Sequence, residues 1–268
     1  MPLVEVQAGR RLNVVRRGSG PPLLLVMGMS GNVLHWTEPF LQLLQEHFDV
    51  VAFDHRGAGW SERVTDPFTI RDLADDAARV LDAVGLDRAH VLGISMGGMV
   101  AQELALEHAG RVDRLVLGCT YSGGEGSALT EEVVWQRLAE GMMSGDRDKA
   151  MDAFFWANVS DAYASDAAHF DEFRRVALMK PTATPVIMLQ AQAIQSHDTS
   201  ARLERITAPT LVVHGDEDRM LPVANGRLIA SRIPGAQLEV LEGAGHMFWV
   251  ERPEEVDALV RAHLLGAG

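Results

Sequence analysis

The chain has 268 residues, a formal net charge of −13 at pH 7 and a single cysteine. Nucleic-acid-binding proteins depend on clustered Lys and Arg, and the sequence shows no such cluster, so we expect no nucleic acid partner. One cysteine excludes an intramolecular disulfide, and no apolar run or signal-peptide pattern predicts membrane association, so we expect a soluble, cytoplasmic protein.

Strand-like and helix-like patterns alternate over the first 120 residues. Apolar runs predict two short antiparallel edge strands and then four buried strands, at Leu3–Val6, Leu12–Arg16, Leu23–Met27, Val50–Phe53, His90–Ile94 and Leu115–Gly118. Helical periodicity predicts helices at Thr37–Glu46, Ile70–Val84 and Met96–His108. This alternation is typical of an α/β fold with a mainly parallel central sheet and helices on both faces.

The alternation stops after residue 120 and resumes near residue 207. Between these points the patterns are helical, as at Glu131–Glu140, Lys149–Ala157 and Phe170–Met179. We therefore predict a core formed by residues 1–120 and 207–268, with a helical cap inserted at residues 121–206.

A serine between two glycines lies where a predicted strand meets a predicted helix. In Gly93–Gly97, the glycines two positions before and after Ser95 leave room where a sharp turn brings backbone segments together. By itself this pattern also fits a glycine-rich loop with a capping serine. Its place between strand and helix favours a nucleophile elbow, with Ser95 as the nucleophile.

Two further candidates follow later strand-like runs. Asp218 comes after the run Thr210–His214, and His246 comes after the run Gln237–Leu241, in the chain order Ser, Asp, His that such an elbow requires. A neutral imidazole can take the serine proton, and a carboxylate can hold that imidazole in the correct tautomer. We therefore expect His246 to act as the base and a carboxylate of the preceding loop to orient it.

These motifs, taken together, resemble the α/β-hydrolase superfamily over nearly the whole chain. The matching segments are an oxyanion loop, a D-x-R-G-x-G-x-S turn, the elbow, an acid loop and a histidine loop, at Leu23–Met29, Phe53–Ser61, Gly93–Gly97, His214–Asp218 and Gly243–His246. The segments Leu23–Ser61 and Val91–Thr120 look most like 3-oxoadipate enol-lactonases and aclacinomycin-type methylesterases. The chain carries Met27-Gly28 where many members have His-Gly.

Two carboxylates of the acid loop compete for the role of orienting acid. Asp218 lies three residues after Gly215 and matches the superfamily's G-x-x-D pattern, whereas Asp216 directly follows that glycine, where we expect an Asx-turn contact. A metal site formed by His214, Asp216 and Asp218 is the other interpretation, and it lacks a third histidine or a His-Glu-x-x-His pattern. The resemblance assigns Asp218, and we expect neither a metal nor a cofactor.

The resemblance implies a serine hydrolase that cleaves a small-molecule carboxylic ester or lactone through an acyl-enzyme. The oxyanion hole is then expected from the backbone N–H groups of Met96, which follows the nucleophile, and Met29. An enol-lactonase of aromatic catabolism, a cofactor-free haloperoxidase or perhydrolase, and a non-catalytic ligand receptor remain alternatives. The sequence leaves open whether the chain forms a homo-oligomer.

The predicted cap contains aromatic residues that are candidates for a substrate pocket. They are Trp135, Phe154, Phe155 and Trp156. The alternative is that these side chains pack the cap helices against each other.

Overall fold

The central feature of the structure is one eight-stranded sheet, seen in a computed structural model that describes residues 3–266. Its strands, in chain order, are β1 (Leu3–Gln7), β2 (Arg10–Gly18), β3 (Pro22–Val26), β4 (Asp49–Phe53), β5 (Ala89–Ile94), β6 (Val112–Gly118), β7 (Thr210–Gly215) and β8 (Gln237–Leu241). Across the sheet they lie in the order β1-β2-β4-β3-β5-β6-β7-β8. Strand β2 is antiparallel to β1 and β4, and the other neighbours are parallel.

The predicted α/β class with a mainly parallel sheet is confirmed. One prediction about the strands is wrong, because β2 has nine residues and lies between β1 and β4 instead of forming a short edge. Its Leu12 and Val14 are buried, so this strand contributes to the core on one face. Residues 1–2 and 267–268 of the predicted core lie outside the described residues.

The helices, numbered in chain order, connect these strands, and two of them follow β8. They are α1 (Glu38–Gln45), α2 (Ile70–Ala83), α3 (Met96–Glu107), α4 (Glu132–Met143), α5 (Arg147–Asn158), α6 (Asp161–Ala164), α7 (Ala167–Met179), α8 (Thr184–Gln195), α9 (Ala224–Arg232), α10 (Phe248–Glu251) and α11 (Pro253–Leu265). No helix among residues 3–266 is both long and apolar enough to cross a bilayer.

Apolar side chains cover both faces of the sheet because successive residues of a strand point to opposite sides. In β3, Leu24 and Val26 belong to one core cluster, which includes buried residues of α2 and α3. Leu23 and Leu25 belong to the other cluster, which includes buried residues of α1 and α11. A parallel sheet buried on both faces requires such continuous apolar strands.

The region between β6 and β7 contains α4 to α8 and, among the described residues, no strand. These helices include the three predicted there, with ends shifted by a few residues. Asp146 is the N-cap of helix α5, because its side chain accepts hydrogen bonds from the N–H groups of Asp148 and Lys149. Strand and helix alternate again from β7 onwards.

Candidate active site

Ser95 occupies a strained turn between β5 and α3. Its backbone has φ 54° and ψ −125°, a conformation that a non-glycine residue adopts only when its surroundings enforce it. A Cβ atom on Gly97 would collide with the carbonyl oxygen of Val26, and one on Gly93 would collide with that of Gly97. The two glycines are therefore required by close backbone contact, as the sequence pattern predicts.

Asp218 and His246 lie together at the same edge of the sheet. They follow β7 and β8, which are parallel neighbours, so the loops after these strands meet. The His246 Nδ1–H donates to Asp218 Oδ2 over 2.7 Å, and both residues are buried. Ser95 and His246 line one cavity, although no hydrogen bond joins Ser95 Oγ to the imidazole in this structure. Such contacts commonly tighten only when substrate binds.

A second histidine contacts the same carboxylate. His214, the residue before Gly215 in β7, donates its Nε2–H to the Leu221 carbonyl over 2.7 Å, and this nitrogen lies 3.1 Å from Asp218 Oδ2. Asp218 Oδ1 accepts the Leu221 N–H over 2.8 Å. The position of His214 in a strand predicts a structural hydrogen bond, which the Leu221 carbonyl accepts, but it does not predict the contact with Asp218.

The pairing of His246 with Asp218 shifts the pKa of both groups. Burial disfavours ionisation of Asp218, but the charge of His246 and hydrogen bonds from both histidines outweigh it and lower the pKa of Asp218 to about 2. Burial also lowers the pKa of His246, but the charge of Asp218, the hydrogen bond to it and the contact with Cys119 together outweigh burial and raise the pKa well above 6.5. A negative Asp218 is therefore stable beside the imidazole.

Asp216 connects two loops. Its Oδ1 accepts a hydrogen bond of 2.7 Å from the N–H of Gly243, in the loop that carries His246. The expectation of an Asx-turn contact within its own loop is wrong, because β7 and β8 bring the two loops close enough for a longer-range bond. Asp216 is exposed and does not contact the His246 ring.

The loop after β3 places Met29 beside the nucleophile. A Cβ on Gly28 would lie 3.0 Å from Ser95 Cβ, so this loop packs directly on the elbow. Met96 is the first residue of α3, where a backbone N–H has no partner within the helix. Within residues 3–266, neither the Met29 N–H nor the Met96 N–H donates to a protein acceptor. Both amides are thus available near Ser95.

The same loop is held in place from two sides. Asp54, which is fully buried, accepts the Val33 N–H over 2.7 Å, the Trp60 N–H over 2.8 Å and the Asn13 side-chain amide over 2.8 Å. From α8, Gln190 Oε1 accepts the Ser30 N–H over 2.9 Å. The D-x-R-G-x-G-x-S turn therefore has a structural role here, because its Asp54 fixes the loop that presents Met29.

The cavity at Ser95 has a volume of about 310 Å³ and mostly apolar walls. Helix α5 contributes one face, since Arg147, Ala150, Met151, Phe154 and Asn158 recur at helical spacing along it. The remaining apolar residues of the wall come from several elements and include Met29, Phe173, Met220, Met247 and Trp249.

Only one of the four predicted pocket aromatics, Phe154, lines this cavity. Trp135 is 54% exposed on α4, and Phe155 is buried on another side of α5. Trp156 lies under two guanidinium groups, those of Arg137 and Arg219, at 4.0 and 4.7 Å from its ring centroid. Trp135 belongs to α4, which contributes no residue to this wall, and Phe155 and Trp156 point away from the cavity because consecutive residues of a helix point in different directions.

Helix α5 and the residues after it are attached to the loops that carry Asp218 and His246. Arg219 donates to the carbonyls of Trp156 and Val159 over 2.9 and 2.8 Å. The Glu251 carboxylate accepts the Gly245 N–H over 3.0 Å and the Ser160 hydroxyl over 2.6 Å. The wall of the cavity is thus joined directly to the residue that precedes His246.

Cys119 follows β6, is fully buried and lies beside His246. Burial raises the pKa of its thiol, which favours the neutral form of Cys119. Among residues 3–266, no three His, Cys, Asp or Glu side chains are arranged to hold a metal ion.

Comparison with known proteins finds one family whose model matches most of the chain. That family is described as the alpha/beta hydrolase fold, and the match spans residues 21–253. A Caulobacter sp. (strain K31) protein named "Putative carbamate hydrolase RutD" is 32% identical over 250 residues, which cover 91% of this chain and 90% of that protein.

Two solved structures are similar over almost the whole chain. The enol-lactonase from Burkholderia xenovorans LB400 superposes with a TM-score of 0.85 at 27% identity, covering 99% of this chain and 100% of that one. Est816, described as an N-acyl homoserine lactone degrading enzyme, has a TM-score of 0.78 at 31% identity and covers 97% and 99% of the two chains.

Proposed function

Because the chain belongs to the α/β-hydrolase fold family, we propose that it is a serine hydrolase that cleaves a carboxylic ester or lactone. One observation carries the proposal. The strained Ser95 of the elbow shares a cavity with His246, whose ring is held by Asp218 at 2.7 Å. This arrangement supports a Ser-His-Asp triad that forms an acyl-enzyme on Ser95.

In the proposed reaction, His246 Nε2 takes the proton of Ser95 Oγ as this oxygen attacks the substrate carbonyl carbon. The N–H groups of Met29 and Met96 stabilise the negative charge on the carbonyl oxygen. His246 then gives its proton to the departing alcohol oxygen, and the acyl group stays on Ser95. A water molecule, deprotonated by His246, attacks the acyl carbon. The bond from this carbon to Ser95 Oγ then breaks, His246 returns the proton to Oγ, and the acid is released. Asp218 holds the imidazole in position throughout.

We further propose that residues 1–120 and 207–268 form the catalytic core and that residues 121–206 form a cap over the site. Support comes from α5, α7 and α8, each of which contributes residues to the cavity wall, such as Phe154, Phe173 and Ile187. The proposed chemistry needs neither metal nor cofactor. The substrate is proposed to be a small molecule, hydrolysed in the cytoplasm.

A carbamate is the second candidate substrate, because the Caulobacter relative is named for that activity. Its carbonyl would react with Ser95 by the same addition. The mostly apolar cavity, with Met151, Phe154 and Phe173 in its walls, favours a substrate with more carbon than a simple carbamate carries. The ester or lactone therefore remains the first proposal.

The test is hydrolysis of a panel of p-nitrophenyl esters, lactones and carbamates by the purified protein and by Ser95→Ala. We expect hydrolysis of esters or lactones by the parent and a loss of several orders of magnitude in the variant, because the nucleophile is absent. A fluorophosphonate should label Ser95. Ser231→Ala, which alters an exposed serine of α9, is the matched control and should keep full activity. Near-normal turnover by folded Ser95→Ala would overturn the mechanism.

A further inference from the structure

His35 lies in the wall of the cavity at Ser95, and the proposed mechanism does not use it. It belongs to a short 3-10 helix, Val33–Trp36, that directly follows the loop carrying Met29. The cavity that contains Ser95 and His246 is lined in part by His35. A smaller cavity of about 30 Å³ lies on the other side of this wall, and His35, Phe173 and Met247 line both.

The hydrogen bonds of His35 determine which of its ring nitrogens carries the proton. The backbone N–H of Asn32 lies 3.1 Å from His35 Nδ1, and a backbone N–H can only donate, so Nδ1 accepts. Burial lowers the pKa of His35 to about 4, despite the contact with Asn32 that opposes this shift, so the ring is neutral at pH 7. A neutral imidazole has one N–H, which must then be on Nε2.

The position of this ring is fixed by its neighbours. The Asn32 side chain accepts the Leu34 N–H over 3.0 Å and donates to the Lys180 carbonyl over 2.9 Å, which ties the turn to the segment after α7. The carbonyl of His35 accepts the indole N–H of Trp249 over 3.0 Å. Within the described residues, the ring makes one hydrogen bond, at Nδ1, and Nε2 donates to no protein acceptor. A fixed donor is therefore left without a protein partner.

Two other polar side chains of the cavity wall already have partners within the protein. The Asn158 side chain donates to the Phe154 carbonyl over 2.7 Å, and the Thr182 hydroxyl donates to the Ser30 carbonyl over 2.8 Å. A cavity with apolar walls and a few fixed polar groups obtains its specificity from those groups. A donor in such a wall without a protein partner is available to a ligand that supplies an acceptor.

We propose that His35 is a specificity-determining residue whose Nε2–H donates to an uncharged oxygen of the substrate outside the bond that is cleaved. The acceptor is a keto, ether or hydroxyl oxygen. The preferred substrate is then an ester or lactone that carries such an oxygen, not a plain alkyl ester. This inference rests on the proposed function, since it names the substrate class of the same site.

The test compares substrates that differ by one oxygen. On the acyl side, p-nitrophenyl 4-oxopentanoate is compared with the pentanoate, and the methoxyacetate with the butanoate. On the alcohol side, 2-methoxyethyl butanoate is compared with butyl butanoate. For each pair we measure the ratio of kcat/KM, because intrinsic differences in reactivity cancel when a variant is compared with the parent.

Two variants separate the two nitrogens of His35. The side-chain amide of His35→Asn can replace Nδ1 as the acceptor for the Asn32 N–H but does not reach the position of Nε2. The amide of His35→Gln reaches that position and keeps a donor there. For at least one pair, we expect the preference for the oxygen-bearing substrate to fall about tenfold in His35→Asn, as for one hydrogen bond, and to be largely retained in His35→Gln.

A merely structural role would lower kcat/KM for both members of each pair and leave every ratio unchanged, and that result would overturn the proposal. Long-range ¹⁵N NMR of the parent gives a readout without substrate, and a protonated Nδ1 on His35 would also overturn it. If the parent hydrolyses no member of any pair and Ser95 is not labelled by a fluorophosphonate, the proposed function itself fails. If the parent hydrolyses these esters and the ratios of kcat/KM do not change in the His35 variants, the proposed role of His35 is wrong but the proposed function still stands.

Discussion

Two histidines contact one carboxylate oxygen of Asp218. These contacts stabilise the negative charge of Asp218 although the residue is buried. His246 Nδ1 lies at 2.7 Å and His214 Nε2 at 3.1 Å from Oδ2, while the other oxygen accepts the Leu221 N–H. A buried carboxylate is stable only when such donors replace water. Gly226 makes room for His214, since a Cβ there would lie 2.7 Å from its Nδ1.

Asp218→Asn should lower kcat by about ten-thousandfold, because an amide cannot hold His246 in the tautomer that accepts the serine proton. Asp216→Asn should cost far less, since Asp216 only joins its loop to Gly243. Steady-state kinetics of both variants with one p-nitrophenyl ester checks the ranking. The reverse ranking would transfer the orienting role to Asp216.

The pH dependence of kcat/KM should reflect the raised pKa of His246. Only the neutral imidazole can take a proton from Ser95, so activity is lost as the pH falls through the pKa of His246. Because the contacts with Asp218 and Cys119 raise this pKa above 6.5 despite burial, the acid limb of the profile should have its midpoint above pH 6.5. Measurement of kcat/KM between pH 5 and 10 tests this. A midpoint well below pH 6.5 would contradict the assignment of His246 as the base.

At the scale of elements, α5 forms the cavity wall with one face only. Met151 and Phe154 belong to that face, whereas Phe155 packs on the rings of Phe170 and Phe173, at 5.5 and 5.2 Å between centroids. The helix is held against the core by the contacts of Arg219 and Glu251 described above. Neighbouring residues of α5 therefore have different surroundings, since Phe154 faces the cavity and Phe155 packs against other aromatic rings.

Phe154→Ala should change the ratio of kcat/KM between short and bulky acyl esters by about tenfold, because a large apolar contact with the substrate is lost. Trp156→Ala is the matched control and should leave this ratio unchanged, since its ring lies under Arg137 and Arg219, away from the cavity wall. Phe155→Ala should mainly lower the melting temperature. If Phe154→Ala leaves the ratio of kcat/KM between short and bulky esters unchanged, the wall formed by α5 does not determine substrate preference.

At the scale of the whole molecule, the site is assembled where three loops meet at one edge of the sheet. The elbow, the acid loop and the histidine loop follow β5, β7 and β8, whose carboxyl ends lie at the same edge. In an open parallel sheet, ligands bind at this edge because only the connecting loops reach it. The helices between β6 and β7 then provide the wall facing Ser95.

The sequence by itself determined the features that depend on local backbone demands. The α/β class followed from periodicity, and the elbow followed from Gly93 and Gly97, because no other residue fits where backbone passes so close. The order of the elbow, the acid loop and the histidine loop along parallel strands was enough to predict that a carboxylate meets His246. The choice of Asp218 over Asp216 came from the resemblance to the superfamily's G-x-x-D pattern.

Only the tertiary structure decided which side chains face the cavity and which share a hydrogen-bond partner. Phe154, Phe155 and Trp156 are all aromatic residues of α5. Only Phe154 lines the cavity, because a helix rotates by about 100° per residue and the three side chains point in different directions. The contact of His214 with Asp218 and the free Nε2–H of His35 depend on loops that come together in space. Such contacts join residues that are far apart in the chain, so no repeating pattern in a single sequence predicts them.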